Sequence, residues 1–153
     1  MTKKIFSLLI IILLSSCGYS PLYNDQKDAD FKIIIKDKVG DKYINNLISI
    51  EIKKISKNNS EKTIYVSINT NYEKKIISKN KQGSASDYKI EISSKFNIEQ
   101  NQTKKEIIVV DLQNVKNITN VFDQKNYENI LKRNFAASAV KKLNFELLNL
   151  EWL

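Results

Sequence analysis

The clearest pattern in the chain is an alternation of apolar and polar residues in two segments between residues 63 and 98. The apolar positions are Ile64, Val66, Ile68 and Tyr72 in the first segment and Tyr88, Ile90, Ile92, Phe96 and Ile98 in the second. A period of two places every other side chain on the same face of a β-strand. The pattern therefore predicts two long strands, each with one apolar and one polar face, joined by a hairpin turn at residues 79–84.

Two shorter stretches predict further strands. Residues 31–36 alternate before a charged segment and a break at residues 39–41, and a turn at residues 100–103 leads into a segment that is apolar on both faces at its start. On that last strand, one face carries Ile108, Val110 and Leu112, and the reverse face carries Ile107 and Val109. The chain thus has four predicted strands.

Apolar residues at spacings of three and four predict two helices. The first covers residues 41–57 with Asp41 as its N-cap. Its stripe contains Tyr43, Ile44, Leu47, Ile48 and Ile55, whereas Ile50 and Ile52 fit it poorly and Asn45 falls on another face. The second starts at residue 122 or 123, ends at residue 150 and carries Ala136, Val140, Leu143 and Leu147 on its stripe.

The order of these elements is strand, helix, strand, strand, strand, helix. It predicts an α+β two-layer sandwich in which a four-stranded mixed sheet is covered on one face by two helices (β-α-β-β-β-α). The crossover through the first helix places the first strand parallel to a neighbour, and the other three strands form an antiparallel meander. The uncovered face is expected to be polar, and it faces either plain solvent or the hydrated cavity of a partner.

The first residues predict a lipoprotein leader. Lys3 and Lys4 precede an apolar run of ten residues, and two serines then lead directly to Cys17, the single cysteine. A bilayer-spanning helix needs about 20 apolar residues, so the run is a signal segment and not an anchor. We predict a lipoprotein signal peptide at residues 1–16, a lipidated tether at 17–30 and one α+β domain at 31–153. The alternative is an ordinary signal peptide with an unpaired cysteine nearby.

The sequence Leu14-Ser15-Ser16-Cys17 matches the bacterial lipobox, in which the cysteine is acylated on its thiol and on its freed amine. Several acyl chains on this cysteine, palmitate among them, would hold the protein almost permanently to a membrane, because each buried methylene group contributes about 0.8 kcal/mol to membrane binding. Gly18 stands where inner-membrane lipoproteins carry Asp. We therefore expect attachment to the periplasmic side of the outer membrane.

The composition narrows the possible functions. The chain has no histidine and one cysteine, which argues against histidine-based catalysis, cysteine nucleophiles and zinc sites. It has no glycine-rich phosphate loop, and no two carboxylates are spaced as an acid–base pair would be. We therefore expect that the protein is not an enzyme and binds no metal or cofactor. A cell-wall hydrolase in particular is poorly supported. The formal net charge is +8. Nucleic acid is disfavoured because an exported protein does not meet it and the lysines are scattered, but an anionic lipid remains possible.

Residues 17–23, Cys-Gly-Tyr-Ser-Pro-Leu-Tyr, resemble the CGFxPLY start of the LPS-assembly lipoprotein family LptE. The order of elements, the turn at residues 83–88 and the alanine-rich residues 135–139 are also similar to that family. The chain departs from the family at two points. Tyr19 stands where Phe is usual, and Lys79 and Lys81, before Gly83, replace the basic residue that the family often has near the start of the hairpin.

The resemblance implies a subunit that plugs an LptD-type outer-membrane β-barrel, helps the barrel to fold and binds lipopolysaccharide. It also implies that Lys79 and Lys81, at the hairpin, contact the lipid A phosphates, with Lys74 and Lys75 as weaker candidates. The alternative for Lys79 and Lys81 is a solvated turn. The alternative for the protein is another outer-membrane lipoprotein, acting as a substrate-binding module or as an accessory to an ABC-type exporter.

Overall fold

A computed structural model describes residues 31–101 and 103–150 of the 153-residue chain. The predicted signal peptide, Cys17 and the tether lie outside the described residues. The elements, in order, are β1 (Lys32–Gly40), α1 (Lys42–Ile55), β2 (Thr63–Lys79), β3 (Ala85–Gln100), β4 (Thr103–Lys116) and α2 (Val121–Leu150). This order confirms the predicted α+β class.

The four strands form a single mixed sheet in the order β1-β2-β3-β4. β1 runs parallel to β2, with Ile33 opposite Ile64, and the remaining neighbours are antiparallel. The predicted meander and the predicted parallel pairing of the first strand are therefore confirmed.

The core lies between one face of the sheet and the two helices. Its main members are Ile64, Val66 and Ile68 of β2, Ile90, Ile92, Phe96 and Ile98 of β3, Ile44, Ile48 and Ile52 of α1, and Phe135, Ala139, Leu143 and Leu147 of α2. Each large side chain that is fully buried contributes about 1.5–3 kcal/mol relative to exposure. The alternating apolar positions of β2 and β3 supply the sheet side of this core.

α1 is rotated relative to the predicted stripe. Ile52, which fitted the stripe poorly, is 1% exposed, whereas Tyr43 is 38% exposed. The reason is Asn45, which is buried because its side chain donates to the Val39 carbonyl at 3.0 Å and accepts from the Thr70 hydroxyl at 3.1 Å. These two bonds turn that face of the helix toward the sheet. Asp41 is confirmed as the N-cap, because it accepts from the Ile44 N–H at 2.9 Å.

β1 extends beyond the predicted residues 31–36. It continues through a bulge between Ile35 and Asp37 to Gly40. The predicted break at residues 39–41 is therefore only the junction between Gly40, the last residue of β1, and Asp41, the N-cap of α1. Gly40 has φ +95, and a Cβ there would lie 1.7 Å from the Thr70 carbonyl oxygen. Only glycine permits this turn from β1 into α1.

Candidate functional site

The sheet has one face that neither helix covers, which we call the outer face. On β2 and β3 its middle positions are polar: Ser67, Asn69, Asn71, Glu73, Glu91, Ser93, Lys95 and Asn97. They lie in directly opposed rows, such as Asn69 opposite Lys95. This part of the outer face agrees with the predicted polar surface.

β4 departs from that prediction. Ile107 and Val115 belong to the core, and three of the four residues between them that point to the outer face are aliphatic, the fourth being Asn114. We call Ile108, Val110 and Leu112 the aliphatic stripe; they are 54%, 52% and 53% exposed. The prediction of a wholly polar outer face is therefore wrong in the middle of β4, because residues 107–110 are apolar on both faces and only one face can meet the helices.

The two predicted lipid-contacting lysines lie at the β2–β3 hairpin. Lys79 is the last residue of β2, Lys81 lies in the turn, and both are exposed. The Asn80 side chain between them accepts from the backbone N–H groups of Gln82, at 3.0 Å, and Ser84, at 2.9 Å. Among the described residues, neither ammonium group has an ion-pair partner, and the two lysines flank Asn80, whose side chain stabilises the turn.

Strand pairing brings further lysines to the same end of the sheet. Lys75 of β2 lies directly opposite Lys89 of β3. Lys116 of β4 lies opposite Asp87 of β3, which is two residues nearer to the hairpin turn than Lys89. All three lysines are exposed. Lys75 is partly neutralised by Glu73 at 2.8 Å, and the hydrogen bond that its ammonium donates to that carboxylate raises the pKa of Lys75. Sequence reasoning missed Lys89 and Lys116, because only the register shows that they adjoin the hairpin.

Two aliphatic residues accompany these lysines. Ile76 and Ile77 are 52% and 51% exposed, beside the irregular pairing that precedes the turn. We define the hairpin end by Lys75, Ile76, Ile77, Lys79, Lys81, Lys89 and Lys116. Ile76, opposite Tyr88, lies on the other face of the sheet from Lys75 and Lys89, so an amphipathic anion would reach both kinds of side chain around the tip of the hairpin.

Lys74, the weaker candidate beside Lys75, points to the opposite face. Its ammonium lies 2.6 Å from a Glu128 carboxylate oxygen on α2 and 3.9 Å from the centre of the Tyr88 ring. Both members of the ion pair are mostly buried, with side-chain exposures of 25% and 19%. Lys74 therefore joins the helix to the sheet, and its charge is neutralised there.

Glu128 is the centre of a polar cluster under α2. Besides Lys74, the Tyr72 hydroxyl donates to it at 2.8 Å and the Gln124 amide at 2.9 Å. Burial would raise the pKa of Glu128, but the hydrogen bonds from Lys74, Gln124 and Tyr72 together hold it below its usual range. Burial, followed by the bond to Glu128, raises the pKa of Tyr72 well above its ordinary value. Glu128 is thus ionised and Tyr72 neutral at physiological pH.

A second ion pair continues this cluster to α1. Lys132 of α2 lies 3.0 Å from Asp41, the N-cap of α1, and 3.9 Å from the centre of the Tyr72 ring. Burial would raise the pKa of Asp41, but the bonds from the Ile44 N–H and Lys132 lower it overall. The two pairs fix the position of α2 over the sheet near the base of the hairpin end.

A cavity of about 430 Å³ lies between β1 and α1, at the end of the sheet far from the hairpin. Its lining is Ile33, Ile35, Ile52, Lys53, Ser56 and Asn58. A volume of this size can hold a small ligand.

No helix within residues 31–101 and 103–150 has the length and apolarity that a bilayer crossing requires.

Comparison with known proteins gives a structural relationship without a sequence relationship. No protein-family model matches the chain, and no curated protein matches it by sequence. Rare lipoprotein B from Shewanella oneidensis is similar in structure, with a TM-score of 0.59 at 9% identity over 79% of this chain and 98% of that one. A minor lipoprotein from Acinetobacter baumannii has a TM-score of 0.50 at 10% identity over 72% and 94%. The chain therefore has the fold of rare lipoprotein B, which is the LptE-like fold.

Proposed function

We propose that the protein is an outer-membrane lipoprotein, acylated at Cys17, that acts as the plug and folding partner of an LptD-type β-barrel in the lipopolysaccharide translocon. It would act without catalysis, by occupying the barrel and by binding lipopolysaccharide. The likeness in fold to two lipoproteins and the lipobox at Cys17 support the lipoprotein part of this proposal.

The observation that carries the proposal is the uncovered outer face of the sheet. In β2 and β3 this face is a long surface of serine, asparagine and charged residues, and the helices lie on the other side. The interior of an outer-membrane barrel is polar, whereas its outside is apolar. A polar sheet face matches a hydrated lumen in chemistry.

The dimensions also suit a plug. β2 has 17 residues, so its ends lie about 50 Å apart at a rise of about 3.3 Å per residue. Lys32, beside which the tether enters the domain, pairs with Thr63 at one end of β2, and the hairpin is at the other end. The hairpin lysines therefore lie about 50 Å from the point where the tether enters the domain.

The hairpin end supplies the proposed contact with lipopolysaccharide. Lys79 and Lys81 would meet the lipid A phosphates, with Lys75, Lys89 and Lys116 adding to the positive field. Ile76 and Ile77 would contact the proximal part of the acyl chains. The ligand has both chemical characters, and so does this end of the sheet.

The test is purification of the acylated protein, at its native expression level, from outer membranes in mild detergent. We expect a large β-barrel protein to co-purify in a fixed ratio, as identified by mass spectrometry. A protein that elutes alone would contradict the proposal. A matched preparation of an abundant unrelated lipoprotein controls for carry-over of barrels in detergent.

The cavity between β1 and α1 favours a second candidate, a lipoprotein that binds a small substrate or assists an ABC-type exporter. Its apolar wall of Ile33, Ile35 and Ile52, with Lys53 at the rim, would take a small amphipathic molecule. Native mass spectrometry distinguishes the two candidates. A bound small molecule that Ile35→Trp displaces, without a barrel partner, supports the second.

A further inference from the structure

The two edges of the sheet differ in how well they are protected from pairing with another strand. An edge strand exposes unpaired backbone groups, and natural proteins protect it with bulges, charges or short length. β1, one edge, has nine residues, a bulge after Ile35 and the charged segment Lys36-Asp37-Lys38. β1 therefore has two of these kinds of protection, the bulge and the charges.

β4, the other edge, lacks a bulge. Its 14 residues pair with β3 in an unbroken register from Thr103 to Lys116. The segment Ile107-Ile108-Val109-Val110 carries no charge. In an antiparallel edge strand every second residue directs its N–H and C=O away from the sheet. β4 is thus a long, regular edge with an uncharged centre.

One contact within the described residues does reach the backbone of this strand. The Lys142 ammonium of α2 lies 3.4 Å from the Ile108 carbonyl oxygen, at the long end of a hydrogen bond. Lys142 is exposed, so an incoming strand can displace its side chain at little cost. The lysine shields a single carbonyl group and leaves the rest of the edge without such a contact from the described residues.

The side chains beside this edge indicate the chemistry of a partner. The aliphatic stripe, Ile108, Val110 and Leu112, occupies alternate positions on the outer face, where a neighbouring strand would place its own side chains directly opposite. Lys104 and Lys116 lie at the two ends of β4, and both are exposed. The complementary strand has apolar side chains at alternate central positions and a carboxylate toward the end that faces Lys116, whereas at the other end Lys104 already has Glu99 at 3.6 Å and Glu106 beside it on the same face.

We propose that an extended segment of the barrel partner adds to β4 as a fifth strand. This inference rests on the proposed function, and it names the surface through which the plug binds the barrel. The backbone of the added strand pairs with the open edge, and its apolar side chains cover the aliphatic stripe. The polar rows of β2 and β3 remain hydrated in the lumen.

A second copy of this chain fits the same edge less well. An antiparallel copy related by a two-fold axis at Val110 would place Ile108 opposite Leu112, but it would also place Lys104 opposite Lys116 at both ends. An axis at Val109 or at Asp111 avoids that conflict, but the first places Leu112 opposite Glu106 and the second places Ile108 opposite Asn114 and Asp111 opposite its own copy. Only the axis at Val110 covers the whole aliphatic stripe with apolar side chains, and it opposes like charges, which destabilises a strand pair, so a different chain fits this edge better.

Site-specific cross-linking within the co-purified complex tests the proposal. Ile108, Val110 or Leu112 is replaced in turn by a photo-reactive phenylalanine analogue, and the cross-linked peptides are identified by mass spectrometry. We expect all three to reach one stretch of the barrel polypeptide, at positions that shift by two residues for each step of two along β4. The same replacement at Val39 on β1, which is equally exposed at 52%, is the control and should not reach that stretch.

A binding measurement gives a second readout. Val110→Ser combined with Leu112→Ser should weaken the complex at least tenfold, whereas Val39→Ser should leave it unchanged. Because these side chains are half exposed, the variants should fold, which circular dichroism verifies.

The possible failures can be told apart. If the barrel co-purifies but the cross-links scatter or are equally strong from Val39, strand addition is wrong and the proposed function stands. Cross-links that join two copies of this chain would assign the edge to a homodimer and overturn the proposal. Failure of any barrel to co-purify would overturn both the proposed function and this inference.

Discussion

Replacement of Glu128 by alanine should destabilise the fold more than any other single loss of a carboxylate on α2. Glu128 accepts from Lys74 at 2.6 Å, Tyr72 at 2.8 Å and Gln124 at 2.9 Å. The substitution leaves the ammonium of Lys74, whose side chain is 25% exposed, without its counter-ion.

The magnitude follows from the burial of this pair. Breaking a fully buried pair costs about 3–5 kcal/mol, and an exposed pair contributes about 0–1 kcal/mol. The Glu128–Lys74 pair lies between these limits and toward the buried one, so we expect a loss of about 2–3 kcal/mol in the free energy of unfolding. Alanine's higher helix propensity offsets only a few tenths of a kcal/mol of this loss.

The matched control is Glu146→Ala on the same helix. Glu146 lies 2.7 Å from Lys105 of β4, and both side chains are more exposed, at 27% and 35%. We expect a loss of about 1 kcal/mol or less. Urea unfolding followed by circular dichroism measures both variants, provided that the slope with denaturant stays constant. Equal losses for Glu128→Ala and Glu146→Ala, or no loss for Glu128→Ala, would refute the reasoning.

The pKa of Glu128 adds a pH signature to this prediction. Because its pKa is lower in the folded than in the unfolded state, its contribution to stability is complete above the unfolded pKa of about 4.3. That contribution is lost as the pH falls through the folded pKa. The difference in unfolding free energy between the wild-type protein and Glu128→Ala should therefore be constant from pH 6 to 7 and shrink below about pH 4. A difference that grows on acidification would contradict the assignment.

Three further predictions concern other parts of the molecule. Gly40→Ala should lower the free energy of unfolding by about 3 kcal/mol or more, because the new Cβ would lie 1.7 Å from the Thr70 carbonyl oxygen. Gly83→Ala should lower it by only about 1–2 kcal/mol, because φ is +80 there but no atom lies within 4 Å of the new Cβ. Thermal unfolding compares the two variants. Lys79→Glu combined with Lys81→Glu should weaken lipopolysaccharide binding in a low-salt titration and leave unfolding unchanged, and unaltered binding would remove both lysines from the site. Cys17→Ala should yield an unprocessed, unacylated precursor, and normal processing with release of a soluble form, seen by mass spectrometry, would refute the lipobox assignment.

Strand faces could be predicted from the sequence where each strand has one apolar face. Ile64, Val66 and Ile68 alternate with polar residues, and all three are buried as expected. On β4 this signal is absent, because both faces are apolar between residues 107 and 110. Only the positions of the helices decide that Ile107 is covered and Ile108 is exposed.

The rotation of α1 shows a second limit of sequence patterns. A polar residue at Asn45 predicts an outward face, yet its side chain is buried because β1 and β2 offer it the Val39 carbonyl and the Thr70 hydroxyl. Such bonds depend on tertiary neighbours and leave no periodic trace. The Glu128 cluster was missed for the same reason, since Tyr72 and Glu128 are 56 residues apart in sequence.

The candidate site could be predicted in part. Lys79 and Lys81 stand out in the sequence because they flank a predicted turn, and the structure places both on the exposed hairpin. Lys89 and Lys116 have no such local signal, since their place beside the hairpin depends on the register of β3 with its two neighbours.

The distance between the hairpin and the entry of the tether has a consequence for how such proteins can diverge. The length of β2 and β3 sets this distance. Two residues added to each strand would move the hairpin lysines about 7 Å further from the entry of the tether and keep every side chain on its own face of the sheet. Neither the lipobox nor the core beneath α1 would have to change. Relatives serving envelopes of different thickness could therefore adjust their reach through one hairpin alone.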